Sequence, residues 1–65
     1  MKNRVEELRN QKGIKQEELG KMLGVSRQTI SSLENGRYNP SITLAYKIAK
    51  LFELTIEDVF VFEEE

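Results

Sequence analysis

The chain has neither cysteine nor histidine. The lack of cysteine excludes disulfides and thiolate metal sites, and the lack of histidine removes the commonest general base and the commonest metal ligand. No apolar run approaches the roughly 20 residues of a membrane-spanning helix, and the charged opening MKNRVEELRN is unlike a signal peptide. We therefore expect a cytoplasmic protein that is not an enzyme and has no catalytic residues, no metal site and no cofactor.

Length and charge bound the architecture. The 65 residues are expected to form a single domain, 1–65, with a small hydrophobic core. The net charge is −1, but residues 1–40 carry a net charge of +3 and residues 41–65 a net charge of −4. Since attraction to phosphate is local, the basic part is expected to face a polyanion and the acidic end to face away.

Apolar spacing and capping residues predict an all-α fold. Gly24 suits the left-handed conformation that ends a helix, and serine or threonine precedes each of the three later helices as an N-cap. On the second helix Leu19, Met22 and Leu23 are expected to face inward. The tail FVFEEE is expected to be a short strand or a frayed end. The predicted helices are about Lys2–Gln11, Gln16–Leu23, Arg27–Asn35, Ile42–Phe52 and Ile56–Phe60.

The segment QEELGKMLGVSRQTISSLENG, residues 16–36, contains two helical patterns that flank a Gly24-Val25-Ser26 break. Ile30 and Leu33 give the second pattern an apolar anchor, and its other face is polar. That face offers a guanidinium, amides and hydroxyls, which suit the edges of bases in a DNA major groove. An ordinary solvated helix face is the alternative, but the position directly after the turn favours DNA binding.

These residues resemble the lambda-repressor-like helix-turn-helix family, also called the xenobiotic-response-element type. The resemblance covers about residues 3–60. The chain is especially similar to small dimeric regulators of the cytolysin-repressor kind. It departs from the family at Gly20, where alanine is usual. The resemblance implies a five-helix bundle with the helix-turn-helix at the second and third helices, and a short antiparallel pairing of 60–62 with 1–3 as one option for the tail. The matching elements are Arg9, Ile14–Leu19, Gly24–Ser26, Ile30, Leu33–Gly36 and Pro40–Ser41.

The resemblance implies roles for polar residues according to their positions in the motif. Bases would be read by Arg27, Gln28 and Ser32, with guanine preferred by the arginine and adenine by the glutamine. Arg9 and Glu34 would form a partly buried ion pair with a structural role. Contacts to the DNA backbone are expected from a larger polar set: Lys15, Gln16, Ser26, Thr29, Ser31, Arg37, Tyr38 and Asn39.

The C-terminal segment has more apolar residues than so small a core is expected to cover. Phe60 and Phe62 are expected to be left exposed, and exposed aromatics at this density mark an interface. We predict a C2 homodimer that places two recognition helices roughly 34 Å apart. The predicted interface residues are Ile56, Val59, Phe60, Val61 and Phe62.

The resulting prediction is a transcriptional regulator, most simply a repressor, that binds double-stranded DNA sequence-specifically at a palindromic operator. An antitoxin or a restriction–modification controller is the first alternative. A protein-interaction module that has lost DNA binding is the second, and the retained polar face and basic half disfavour it. The predicted partners are double-stranded DNA, a second copy of the chain and an unknown protein effector, with no membrane.

Overall fold

The computed structural model describes residues 1–62 and confirms the all-α prediction. Within this range the one extended pairing outside the helices is an isolated antiparallel bridge between Asn3 and Phe60. No helix in the described part is long and apolar enough to cross a membrane. The helices are α1 (Val5–Gln11), α2 (Gln16–Leu23), α3 (Arg27–Glu34), α4 (Ile42–Leu51) and α5 (Ile56–Val59).

One hydrophobic core joins all five helices, because each helix places apolar residues on one face at the spacing of three or four that a 3.6-residue turn requires. The sequence predicted Leu19, Leu23, Ile30 and Leu33 as buried members of this core. Its members are Val5, Leu8, Leu19, Leu23, Ile30, Leu33, Leu44, Ala45, Ile48, Ala49, Phe52, Val59 and Phe60.

Met22 is an exception on α2. The prediction that it faces inward is wrong, because 57% of its side chain is exposed. Leu19 and Leu23 set the buried face of α2. Met22 precedes Leu23 by one residue, which turns it by about 100° around the helix and away from the core.

Helix α1 begins at Val5, three residues later than predicted. The residues before it lie beside the C-terminal segment, where the Arg4 N–H donates to the Val59 carbonyl at 2.8 Å. The side chain of Asn3 then accepts from the Val5 N–H at 3.1 Å and satisfies one free donor of the first turn. The predicted pairing of the two termini is thus present, and it sets the start of α1.

The same pairing corrects the prediction that Phe60 is exposed. Phe60 is 1% exposed and Val59 is fully buried, so both side chains belong to the core of the single chain and are not available to a second copy. Pairing with the N-terminal segment, including a 2.9 Å bond from the Val61 N–H to the Lys2 carbonyl, holds this part of the chain against the bundle. Of the predicted interface residues, Ile56, Val61 and Phe62 keep surface exposure.

The turn between α2 and α3 depends on two glycines. Gly24 ends α2 with a φ of +77°, as predicted, a conformation that costs glycine little. A Cβ at Gly20 would lie 2.7 Å from the Val25 carbonyl oxygen. The departure from the family's alanine therefore lets the turn itself approach α2 closely, and this fixes how α3 leaves the turn.

Candidate nucleic-acid interface

Helix α3 is held to the bundle by one face. Ile30 and Leu33 are completely buried, whereas Arg27 and Gln28 are exposed. Because the two buried anchors are almost one turn apart, they fix both the position and the rotation of the helix. Its polar side chains are consequently presented outward by a rigid element.

The start of α3 is fixed by a cap. Ser26 Oγ accepts a hydrogen bond from the Thr29 N–H at 3.1 Å, and the two hydroxyls lie 2.9 Å apart. This satisfies a donor that the first turn of a helix leaves free. The hydroxyls of Ser26 and Thr29, both predicted to contact the DNA backbone, therefore also have a local structural role. They lie at the border of the polar surface.

Two shallow polar depressions lie side by side on this surface, and Gln28 belongs to both. We call them the first and second depressions. The first is lined by Gln16, Arg27, Gln28 and Ser31. The second is lined by Ser26, Gln28, Thr29, Ser32, Arg37 and Tyr38. They bring together all the residues predicted to contact DNA except Lys15 and Asn39.

The charge of these depressions suits a polyanion. Their linings include the guanidinium groups of Arg27 and Arg37, and no aspartate or glutamate lines either one. Lys15 is exposed at the N-cap position of α2, where its N–H donates to Glu18 Oε1 at 2.8 Å. Such an arrangement of cations, amides and hydroxyls is the kind that contacts both phosphates and base edges.

Asn39 is held by a partner that sequence reasoning missed. The amino group of Met1 donates to Asn39 Oδ1 at 3.3 Å and to the Gly36 carbonyl at 3.0 Å. Asn3 Nδ2 adds a 2.9 Å bond to the Leu33 carbonyl at the end of α3. The N-terminal segment thus supports the loop after α3. No local sequence signal indicates this, because the contacts depend on the pairing of the termini.

Arg9 and Glu34 form the ion pair that the resemblance implies. Arg9 Nε donates to Glu34 Oε2 at 2.7 Å and Nη2 donates to Oε1 at 3.3 Å. The two side chains are only 11% and 3% exposed. The hydrogen bond to Glu34 holds the pKa of the Arg9 guanidinium above its ordinary value. Arg9 Nη1 also donates to the Ile14 carbonyl at 2.9 Å, so one side chain ties α1 to α3 and to the loop before α2.

Gln16 extends this network to the polar surface. Its side-chain nitrogen donates to Glu34 Oε1 at 2.9 Å. The sequence predicted that Gln16 contacts the DNA backbone, but it did not predict a hydrogen bond from Gln16 to the ion pair. One carboxylate near the end of α3 therefore accepts hydrogen bonds from α1 and from the first residue of α2.

Comparison with known proteins identifies the family. A helix-turn-helix family model matches residues 5–59. An uncharacterized HTH-type transcriptional regulator of Archaeoglobus fulgidus is 54% identical over 65 residues, which cover all of this chain and 93% of that protein. The uncharacterized HTH-type transcriptional regulator YgzD of Bacillus subtilis is also 54% identical, over 100% of this chain and 98% of its own length.

A solved structure agrees with this fold. The restriction-modification controller protein C.AhdI from Aeromonas hydrophila superposes with a TM-score of 0.77 at 32% sequence identity, covering 88% of this chain and 83% of that one. The family model, which matches residues 5–59, extends over α1 to α5 and thus includes the outward face of α3. The chain belongs to the helix-turn-helix family and is a DNA-binding transcriptional regulator of the xenobiotic-response-element type.

Proposed function

We propose that this regulator acts in the cytoplasm, most simply as a repressor, by inserting α3 into the major groove of a palindromic operator. One observation carries the proposal: the buried pair Ile30 and Leu33 holds a carboxylate-free polar face outward on a rigid helix. The known helix-turn-helix proteins use a helix placed in this way to contact base edges.

Base contacts are assigned to the centre of this face. Arg27 would donate two hydrogen bonds to guanine O6 and N7, and Gln28 would pair with adenine N6 and N7. Ser32 lines the second depression beside Gln28 and supplies a smaller contact. The surrounding residues would contact phosphates and fix the register on the duplex. They are Lys15, Gln16, Ser26, Thr29, Ser31, Arg37, Tyr38 and Asn39.

A homodimer is the second part of the proposal. Phe62 is 59% exposed and Val61 is 42% exposed, so the single chain leaves two consecutive apolar side chains uncovered at this end. A groove of about 650 Å³ between α4 and α5 is lined in part by Leu54, Ile56 and Tyr46. An isologous pairing of this end of two molecules would cover the aromatic tail and place two copies of α3 about one DNA turn apart.

The likeness to C.AhdI favours one alternative within DNA binding, that the chain is a restriction–modification controller. The same face of α3 would then bind the operator of a neighbouring gene pair. The two alternatives are distinguished by what lies beside the gene. A signal would reach either protein through its own abundance or through an unknown protein effector.

The test is selection of bound duplexes from a random DNA pool by the full chain. We expect an inverted repeat whose half-site centres are about 10 bp apart, and an affinity that falls steeply with salt. Lys47→Ala, a change on the exposed face of α4 and outside both depressions, should select the same repeat. A pool that gains no sequence preference would contradict the proposal.

A further inference from the structure

The carboxylate of Glu34 is placed between the bundle and the polar surface. Its Oε1 accepts from Gln16 Nε2 at 2.9 Å and from Arg9 Nη2 at 3.3 Å, and its Oε2 accepts from Arg9 Nε at 2.7 Å. The Glu34 side chain is 3% exposed, so it has little direct access to any ligand. Any effect it has on DNA must pass through a neighbour.

Gln16 is that neighbour. It is the first residue of α2, is half-buried, and lines the first depression together with Arg27, Gln28 and Ser31. A primary amide nitrogen carries two hydrogens. One is used by Glu34, and within residues 1–62 the other hydrogen has no acceptor. The bond to Glu34 thus fixes the amide plane at the edge of the depression and leaves one N–H and one carbonyl oxygen for a ligand.

We propose that Glu34 is a positioning residue for DNA binding, which orients the Gln16 amide toward a phosphate oxygen of the DNA backbone. This rests on the proposed function. An amide held in place loses less conformational freedom on binding than a free one, so the restraint increases affinity. Arg9 is required as well, because its guanidinium neutralises Glu34 and spares the phosphate from facing a free carboxylate.

The Gln16 amide is expected to contact the phosphate backbone of DNA rather than a base. The first depression combines a guanidinium from Arg27, a hydroxyl from Ser31 and the Gln16 amide beside the N-terminus of α2, whose first N–H groups lack partners within the helix. These are donor groups, and phosphate oxygens are acceptors only. A contact of this kind is independent of base sequence, so it can be measured on a short duplex of mixed sequence without knowing the operator.

The experiment compares the loss caused by Gln16→Ala in two backgrounds. One is the natural chain, and the other is the double variant Arg9→Met/Glu34→Met, which replaces the buried pair with apolar side chains and leaves the net charge unchanged. Such replacements often preserve folding. In the natural chain, Gln16→Ala should weaken binding of the duplex at low salt by about threefold to tenfold. In the double variant, the same change should have less than about a twofold effect.

Gln28→Ala is the matched control, because Gln28 lines the same depression and does not hydrogen-bond to Glu34. Whatever its size on this duplex, the effect of Gln28→Ala on binding should be the same in both backgrounds. If Gln16→Ala also has equal effects in both backgrounds, Glu34 acts only through the fold and the inference is wrong.

A second measurement needs no variant. Nitrogen relaxation of side-chain amides in the free protein should find the Gln16 amide ordered and the Gln28 amide mobile on the picosecond to nanosecond timescale. Equal mobility of the two amides would overturn the inference. A natural chain that binds no duplex would instead contradict the proposed function, so the two failures can be told apart.

Discussion

Glu53 is the one residue in the described range, other than glycine, with a positive φ, at 60°. It follows α4, where the Leu54 N–H donates to the Ala49 carbonyl at 2.9 Å and the Glu53 N–H donates to the Lys50 carbonyl at 3.0 Å. This pattern of two bonds is the Schellman ending of a helix, and it favours glycine at the left-handed position. Glu53 therefore carries local strain that the turn requires.

Glu53→Gly should stabilise the protein by about 1 kcal/mol, because it relieves this strain by more than it costs in unfolded-state entropy. The melting temperature measured by circular dichroism should rise by about 4–8 °C. Glu53→Ala is the control, since it removes the same carboxylate and keeps the strain. An equal rise in both variants would show that charge, not backbone conformation, is responsible.

At the scale of single residues, what the sequence can predict depends on how local the cause is. Gly24 and Ser26 were predictable because their roles depend on their own backbone conformation and on neighbours within three residues. The link from Gln16 to Glu34 was not, because it joins residues 18 positions apart through the crossing of two helices. Side-chain pairing of that kind follows from the packed bundle and not from the local pattern.

Among the elements, α1 and α3 are joined by the ion pair of Arg9 and Glu34. Because both side chains are almost completely covered, removing one partner leaves a buried charge without compensation. This pair contrasts with Arg4 and Glu7, which lie 3.2 Å apart but are 43% and 53% exposed. Exposed pairs of that kind contribute little to stability.

Arg9→Ala should therefore destabilise the fold by about 3–5 kcal/mol, a large part of the stability of a small domain. Urea denaturation followed by circular dichroism measures the change. Arg4→Ala is the matched control and should cost less than about 1 kcal/mol. An unchanged urea midpoint for Arg9→Ala would contradict a structural role for this ion pair.

Helix α5 is only four residues long, and its start is fixed by reciprocal capping. Asp58 Oδ2 accepts from the Thr55 N–H at 3.1 Å, and Thr55 Oγ1 accepts from the Asp58 N–H at 3.2 Å. The hydrogen bonds from the Thr55 backbone and side chain, with a smaller contribution from the positive charge of Arg4, hold the pKa of Asp58 below its ordinary value.

A folded-state pKa below the unfolded value means that the ionised form stabilises the fold. This stabilisation is present in full above the unfolded pKa, at about 3.9, and is lost as pH falls through the folded value. Asp58→Asn should therefore melt at a lower temperature than the natural chain at pH 7, and the difference should shrink below about pH 4. Melting curves across this range measure it.

Glu57→Gln is the control for this pH dependence. It removes a carboxylate from the same first turn, at a side chain that takes no part in the Thr55–Asp58 capping bonds. The difference in melting temperature between Glu57→Gln and the natural chain should not shrink below about pH 4 in the way expected for Asp58→Asn. A pH-independent difference for Asp58→Asn would contradict the capping account.

The elements also show where sequence reasoning stops. The bounds of α2 were predicted correctly, and the ends of α3, α4 and α5 were each placed one residue too late, because capping signals are local. The start of α1 and the burial of Phe60 were wrong for one shared reason. Both depend on the bridge between Asn3 and Phe60, which joins the two ends of the chain. Periodicity within a segment carries no information on such a pairing.

In the whole molecule, a cationic polar surface and an exposed apolar surface lie on different parts of the chain. The two depressions along α3 carry the guanidinium groups of Arg27 and Arg37 and no carboxylate. The C-terminal end carries the exposed side chains of Val61 and Phe62. We propose that the first surface binds DNA and the second binds another copy of the chain. Two copies would then form a symmetric dimer that carries two DNA-contacting helices.

Phe62→Asp should convert the proposed dimer to a monomer in sedimentation velocity at micromolar concentration, because a carboxylate would be buried at the interface. The monomeric variant should still fold, as circular dichroism would show, since Phe62 lies outside the core. Met22→Asp, at another exposed apolar side chain on α2, should leave the assembly state unchanged. A natural chain that sediments as a monomer would contradict the dimer.

We propose above all that the outward face of α3 contacts base edges in the major groove. The most direct measurement is the comparison of duplexes selected from a random pool by the natural chain and by Arg27→Ala. If α3 contacts base edges, the variant should bind the natural site about 1–3 kcal/mol more weakly and keep the same spacing between half-sites. It should lose its base preference at one symmetric position in each half-site. An unchanged preference at every position would contradict the claim.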